Sequence, residues 1–292
     1  MSVHFDKAYS YADVSLVPRV ISEREHRDSD TSTQCFGISI SIPMIASPMP
    51  DVCNGELAHE LWSLGAFGII HRFQSIEKQV EEYEYATQGF IKQTSYNSTA
   101  IVSQSFCGCA IGITDDWQER FKRLYEYGCR VFCLDVANGA NVFVAKAIKW
   151  IRDYEKNDQK PMQMTYGKVG SVFINSNKIY LIAGNVATKE GYKFLADCGV
   201  DAVRVGIAGG SPCTTKTETG VYYPMVSSIL ECVEERKTLS LFFINGKKYK
   251  SNDIVNCVHK NDRNLVNELN FKDFVKNMMA KDVTDEYYLI EF

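Results

Sequence analysis

The sequence predicts an α/β protein built as a (β/α)8 TIM barrel, incomplete at the last strand. Three observations carry this. Short apolar runs recur along the chain, each followed by a segment whose apolar residues have helical spacing. Runs such as Ile179-Tyr-Leu-Ile-Ala183 are apolar at nearly every position, as strands are when both faces of a parallel sheet are covered. The 292 residues, 45% apolar and 23% charged, are globular in composition and suit one barrel of about 250 residues.

Six strand-and-helix units follow in order: residues 42–49 then 56–64, 67–71 then 76–86, 109–113 then 117–127, 130–135 then 142–154, 179–183 then 189–196, and 202–207 then 222–235. Residues 241–246 read as a seventh strand leading to a helix over 252–259, in preference to a hairpin turned at Asn245-Gly246. Residues 261–292 are charged, with one helical stretch at 271–280 and at best a poor eighth strand. No internal repeat or low-complexity linker divides the chain, so residues 1–292 read as a single domain.

A net charge of -4 gives no general attraction for nucleic acid or anionic lipid, which leaves small molecules as the expected partners. No stretch approaches the roughly 20 apolar residues of a membrane span. Residues 1–27 carry acidic side chains and no apolar core, so a cytoplasmic protein is expected. The ten cysteines lie mostly in apolar segments without regular pairing and read as free thiols. Cys107-Gly-Cys109 lacks a second ligand pair at zinc spacing.

One cysteine differs from the rest. Asp201-Ala-Val-Arg-Val-Gly-Ile207 is a strand, and Ala208-Gly-Gly-Ser-Pro-Cys213 carries a glycine-rich loop from its C-terminal end. A barrel enzyme keeps its reactive groups on such loops. Thr214 and Thr215 set hydroxyls beside Cys213, and the glycines let a bound ring approach the backbone.

Three segments extend this into a pattern: Ala183-Gly-Asn-Val-Ala-Thr-Lys-Glu-Gly191, Gly199-Val-Asp-Ala-Val-Arg-Val-Gly206 and Gly210-Ser-Pro-Cys-Thr-Thr-Lys-Thr-Glu-Thr-Gly-Val-Tyr-Tyr-Pro224. With Asp13-Val-Ser-Leu-Val-Pro-Arg19, Ile42-Pro-Met-Ile-Ala-Ser-Pro-Met49, Gly68-Ile-Ile-His-Arg72 and Leu134-Asp-Val-Ala-Asn-Gly139, the chain closely resembles the IMP dehydrogenase and GMP reductase family. The resemblance is clear through about residue 235, continues over 241–255 and fades beyond 259, leaving 259–292 a divergent C-terminal segment. Asp135-Val-Ala-Asn-Gly139 and Thr219-Gly-Val-Tyr-Tyr-Pro224 resemble the reductase branch, and the chain has no room for the CBS pair usual in the dehydrogenases.

The resemblance implies NADPH-dependent reductive deamination of GMP to IMP and ammonia, through a thioimidate on Cys213 with Thr215 as proton relay. It implies substrate contacts from Ser47, Met49, Asn185, Arg204, Ser211, Asn245, Gly246 and Lys247. Cofactor contacts would come from Arg72, the run Asp135, Val136, Ala137, Asn138 and Gly139, and the pair Ala208 and Gly209. A monovalent cation, potassium, would rest on the backbone carbonyls of Ala208, Gly210 and Cys213, and the family's habit is a homo-oligomer, commonly a tetramer. Bland readings stand beside these: Arg72 as a surface charge, Thr215 as a loop hydroxyl, and Arg204 as the counter-ion of Asp201 or Asp135.

Four positions depart from the family. Ala208 replaces a glycine, Pro50 an aspartate after Met49, Asn245 a ribose-gripping aspartate, and Lys247 a phosphate-loop glycine. Nothing after His259 matches the family's last strand, mobile flap or ammonia-assisting glutamate. An IMP dehydrogenase lacking its CBS insert, a catalytically inactive nucleotide-binding relative, and a split barrel finished by a complementing chain therefore remain as alternatives.

Overall fold

The structure, a computed structural model, describes residues 7–15, 30–36, 38–88, 90–92, 101–103, 105–157, 178–210, 215–239, 241–244, 247–250 and 287–290. A short antiparallel hairpin, β1 (Thr33–Cys35) and β2 (Ile38–Ile40), comes first. Strands and helices then alternate: β3 (Ile45–Ala46), α1 (Gly55–Ser63), β4 (Phe67–Ile70) and α2 (Ile76–Ala86). A second hairpin, β5 (Phe90–Lys92) with β6 (Ile101–Ser103), separates α2 from β7 (Gly108–Ile111) and α3 (Trp117–Glu126). β8 (Val131–Asp135), α4 (Val142–Asn157), β9 (Tyr180–Val186), α5 (Lys189–Asp197), β10 (Ala202–Val205), the short α6 (Thr215–Thr219) and α7 (Met225–Leu239) complete six units. The final elements are β11 (Leu241–Ile244), β12 (Lys247–Lys250) and β13 (Tyr287–Ile290).

Seven strands pair in parallel in the order β13-β10-β9-β8-β7-β4-β3, an incomplete (β/α)8 barrel. The six predicted units are all present. Two expectations at the C-terminal end are corrected. Residues 241–244 and 247–250 pair as an antiparallel hairpin, not a strand entering a helix, in keeping with the Asn-Gly sequence between them, a pair that such hairpins favour. The helix expected over 252–259 and the helical stretch at 271–280 lie outside the described residues. On its side away from β9, β10 pairs with β13, in register Ala202↔Tyr287 to Val205↔Ile290, drawn from the segment read as poor in strand signal.

Strand alternation divides the core in two. Phe67, Ile69, Ala110, Val131, Cys133, Ile182 and Ala202 face the barrel interior, where Cys35, Phe36, Ile38 and Ile40 of the first hairpin plug them. Their neighbours Ile70, Cys109, Ile111, Phe132, Leu134, Leu181, Ala183, Val203 and Val205 face outward and pack under the helices. Phe121 is the hub of that outer layer: its ring lies 4.6 Å from Phe132, 5.3 Å from Tyr154 and 5.6 Å from Trp150, joining α3, β8 and α4.

Two polar clamps hold the elements in place. Arg152 of α4 reaches Asp201 at 2.5 Å, Glu155 at 2.9 Å and the Ile179 carbonyl at 2.7 Å, tying the helix to the starts of β9 and β10. Burial alone lowers a guanidinium's pKa, but the Asp201 and Glu155 carboxylates outweigh it and hold Arg152 above its ordinary value. At the other end of the chain, Tyr9 and Ser227 exchange two bonds. The Tyr9 amide donates to the Ser227 hydroxyl at 2.8 Å, and the Ser227 amide donates to the Tyr9 carbonyl at 3.2 Å.

Candidate active site

In a parallel sheet every strand ends on the same side, so each strand-to-helix loop gathers at one rim. Local chemistry fixes where those loops stop. Asn54, Ser75 and Thr188 cap α1, α2 and α5 by accepting from the amides of Leu57, Lys78 and Gly191, and the Asn141 side chain accepts from Phe143 and Val144 at the start of α4. Ser47 and Met49 follow β3, His71 and Arg72 follow β4, Asp135 ends β8, Asn185 lies near the end of β9, and the 206–210 loop follows β10.

Asp135, Gly184 and Arg204 lie side by side in the register of β8, β9 and β10. Gly184 leaves the space between the two charges open: a Cβ there would stand 2.5 Å from the Arg204 Cβ. Across it the Arg204 guanidinium donates to Asp135 Oδ1 at 2.6 Å, while only 5% of the Arg204 side chain is exposed. Asp135 Oδ2 faces Arg72 Nε at 3.9 Å. That Nε is buried and has no hydrogen-bond partner, while the guanidinium plane lies 4.5 Å from the Phe73 ring. Arg204 is therefore the counter-ion of Asp135; Asp201 is taken by Arg152 and Lys178.

Asn185 fastens the rim together. Its amide donates to the Val136 carbonyl at 3.0 Å, its carbonyl accepts from Gly139 at 2.9 Å, and its buried side chain donates to the Gly206 carbonyl at 2.7 Å. The loop after β8 is thus fixed to the loop after β10. Gly139 lies flush on β9, where a Cβ would come 3.0 Å from the Gly184 Cα. Val136 is half-buried, and Ala137 and Asn138 are exposed, with the Asn138 side chain accepting from the Ala140 amide at 3.0 Å.

The loop after β10 turns through two left-handed residues, Gly206 at φ 123° and Ala208 at φ 58°. Met225, the first residue of α7, packs so closely that a Cβ on Gly206 or on Gly209 would lie 2.4 Å from its side chain. Ala208 therefore holds the conformation that a glycine takes without strain, and Gly209 and Gly210 are exposed. Thr215 opens α6 and its carbonyl accepts from the Thr219 hydroxyl at 2.7 Å.

Ser211, Cys213, Asn245 and Gly246 lie outside the described residues, and Lys247 is described by its backbone alone, at the start of β12 in the separate hairpin. Elsewhere burial disarms the thiols. It pushes Cys53 and Cys232 up to about 12 and holds Cys107 and Cys109 well above the ordinary thiol value. None of the eight described cysteines is in a disulfide.

Residues 8–260 match the family described as IMP dehydrogenase / GMP reductase domain. The chain belongs to that family. It is 30% identical over 226 residues to a GMP reductase of Chromobacterium violaceum, a match covering 77% of this chain and 60% of the relative. It is 26% identical over 289 residues to an inosine-5'-monophosphate dehydrogenase of Borreliella burgdorferi, covering 86% of this chain and 66% of that one. Its fold is similar to the crystal structure of inosine 5' monophosphate dehydrogenase from Legionella pneumophila, with a TM-score of 0.60 and 28% identity over 78% of this chain and 59% of that chain. The chain spans about 60% of the length of these relatives. The family's enzymes are oxidoreductases, and both branches are represented among the matches. Among the described residues, no helix is long and apolar enough to cross a membrane.

Proposed function

We propose that this family member catalyses NADPH-dependent reductive deamination of GMP to IMP and ammonia. The observation that supports the reading is the joined rim: Asn185 fastens the Asp135 loop to the loop that leads toward Cys213, so the positions expected to meet a hydride donor and a purine adjoin. The buried Nε of Arg72, which makes no hydrogen bond in the structure but faces Asp135 Oδ2, gives a donor and an acceptor side by side, which fits a ribose diol. Asp135, Arg72 and the 136–139 run would hold the dinucleotide there, and when bound NADPH supplies the hydride.

Cys213 sulfur adds to C2 of the purine, and the exocyclic nitrogen leaves as ammonia with a proton relayed by Thr215. A thioimidate remains. After the hydride reaches C2, the carbon–sulfur bond breaks, the thiolate returns to Cys213 and IMP departs. Arg204 holds the Asp135 carboxylate in its present orientation through these steps, and Ser47, Met49, Asn185 and Ser211 would border the mononucleotide. The Ala208, Gly210 and Cys213 carbonyls would take potassium, whose charge steadies the loop.

A second reading has its own support: the matching dehydrogenase of Borreliella burgdorferi covers more of this chain than the matching reductase does. The two are separated by an anaerobic assay with potassium, in which NADPH plus GMP is compared with NAD plus IMP, alongside Cys213→Ala. NADPH loss with IMP formation that vanishes in the variant is expected. Turnover only with NAD plus IMP selects the dehydrogenase, and a folded protein silent with both pairs overturns the enzymatic reading.

A further inference from the structure

His71 lies at the mouth of the barrel and makes no use of its ring. Phe67 and Ile69 of β4 face the interior and Ile70 faces the helices, so the alternation turns His71 inward, one step above Ile69. The residue is 8% exposed, and its Nδ1 is sealed without a hydrogen-bond partner. Among the described residues neither ring nitrogen is bonded; only the backbone is engaged, through the Cys53 carbonyl and the Gln74 side chain. Buried imidazoles are ordinarily paired, because a desolvated polar atom left alone is unfavourable. At a barrel mouth, the missing partner is a ligand atom.

Position narrows the ligand. β3 is the neighbour of β4, with Ala46 beside Gly68, which sets the 47–49 loop next to His71 along the rim. Arg72 leans the other way, over Gly112 and toward Asp135, where the dinucleotide is assigned. We infer that His71 is a mononucleotide-binding residue whose ring hydrogen-bonds to a GMP oxygen or nitrogen on the Ser47 side of the mouth. This rests on the purine-nucleotide reading of the site.

The test is calorimetric titration of GMP and NADPH, separately, into the wild type, His71→Leu and His71→Gln, with a melting temperature for each apo protein. His71→Leu is expected to melt no lower than the wild type, since the ring it removes is unpartnered. Its GMP affinity should fall on the order of tenfold with NADPH affinity unchanged, and His71→Gln should restore part of the loss. Unchanged GMP affinity, an equal loss for NADPH, or a lower melting temperature in His71→Leu overturns the assignment. A wild type that binds neither GMP nor NADPH instead overturns the nucleotide reading beneath it.

Discussion

At the scale of single residues, the rim sets backbone and charge against close neighbours. Ala208 sits at φ 58°, where a Cβ meets the following carbonyl, so Ala208→Gly is expected to stabilise the fold by about 1 kcal/mol in urea titration. The opposite holds at Gly184. Gly184→Ala would place its Cβ 2.5 Å from the Arg204 Cβ and 2.7 Å from the Arg204 carbonyl, which the backbone relieves only by shifting. We expect a loss of about 2–3 kcal/mol by the same titration. Much of this site was legible: Arg72, Asp135, Asn185, Arg204 and Ala208 are short-range motif residues, and their strand ends fix them on one rim. The pairing of Arg204 with Asp135 in place of Asp201 was not, since it depends on which carboxylate Arg152 occupies.

At the scale of elements, the outer core hangs on one ring. Phe121→Ala would empty the space shared by α3, β8 and α4, where Phe121 contacts Phe132, Trp150 and Tyr154. Chemical denaturation should register a loss of about 3–5 kcal/mol. Elements of this kind were read from sequence because buried strands and amphipathic helices have opposite periodicities, and α2 was found at the bounds the pattern gives, Ile76–Ala86. The plug hairpin and β13 were missed for a physical reason. Three- and four-residue strands carry too few positions to show alternation, and their pairing is set by partners far away in sequence. At 241–250 the local signal, Asn245-Gly246, was present, and the hairpin it offered as the alternative is the arrangement that formed.

For the whole molecule, the buried thiols predict a limit at alkaline pH. Burial pushes Cys53 and Cys232 up to about 12 in the folded chain, against an ordinary 9.0. Above pH 9 the unfolded chain therefore releases protons that the folded chain retains, so stability is full below that pH and falls as pH rises toward 12. Each of these thiols should remove up to about 1.4 kcal/mol per pH unit across that window, seen as a melting temperature that drops between pH 8 and 11. A flat melting profile over that range would contradict it. The clasp between Tyr9 and Ser227 bears on the birth of the molecule. Its halves lie 218 residues apart, so Tyr9 leaves the ribosome about 10–40 s before Ser227 has been made. For that interval the clasp cannot close, and the Tyr9 backbone has no Ser227 to bond until the chain has been translated into α7.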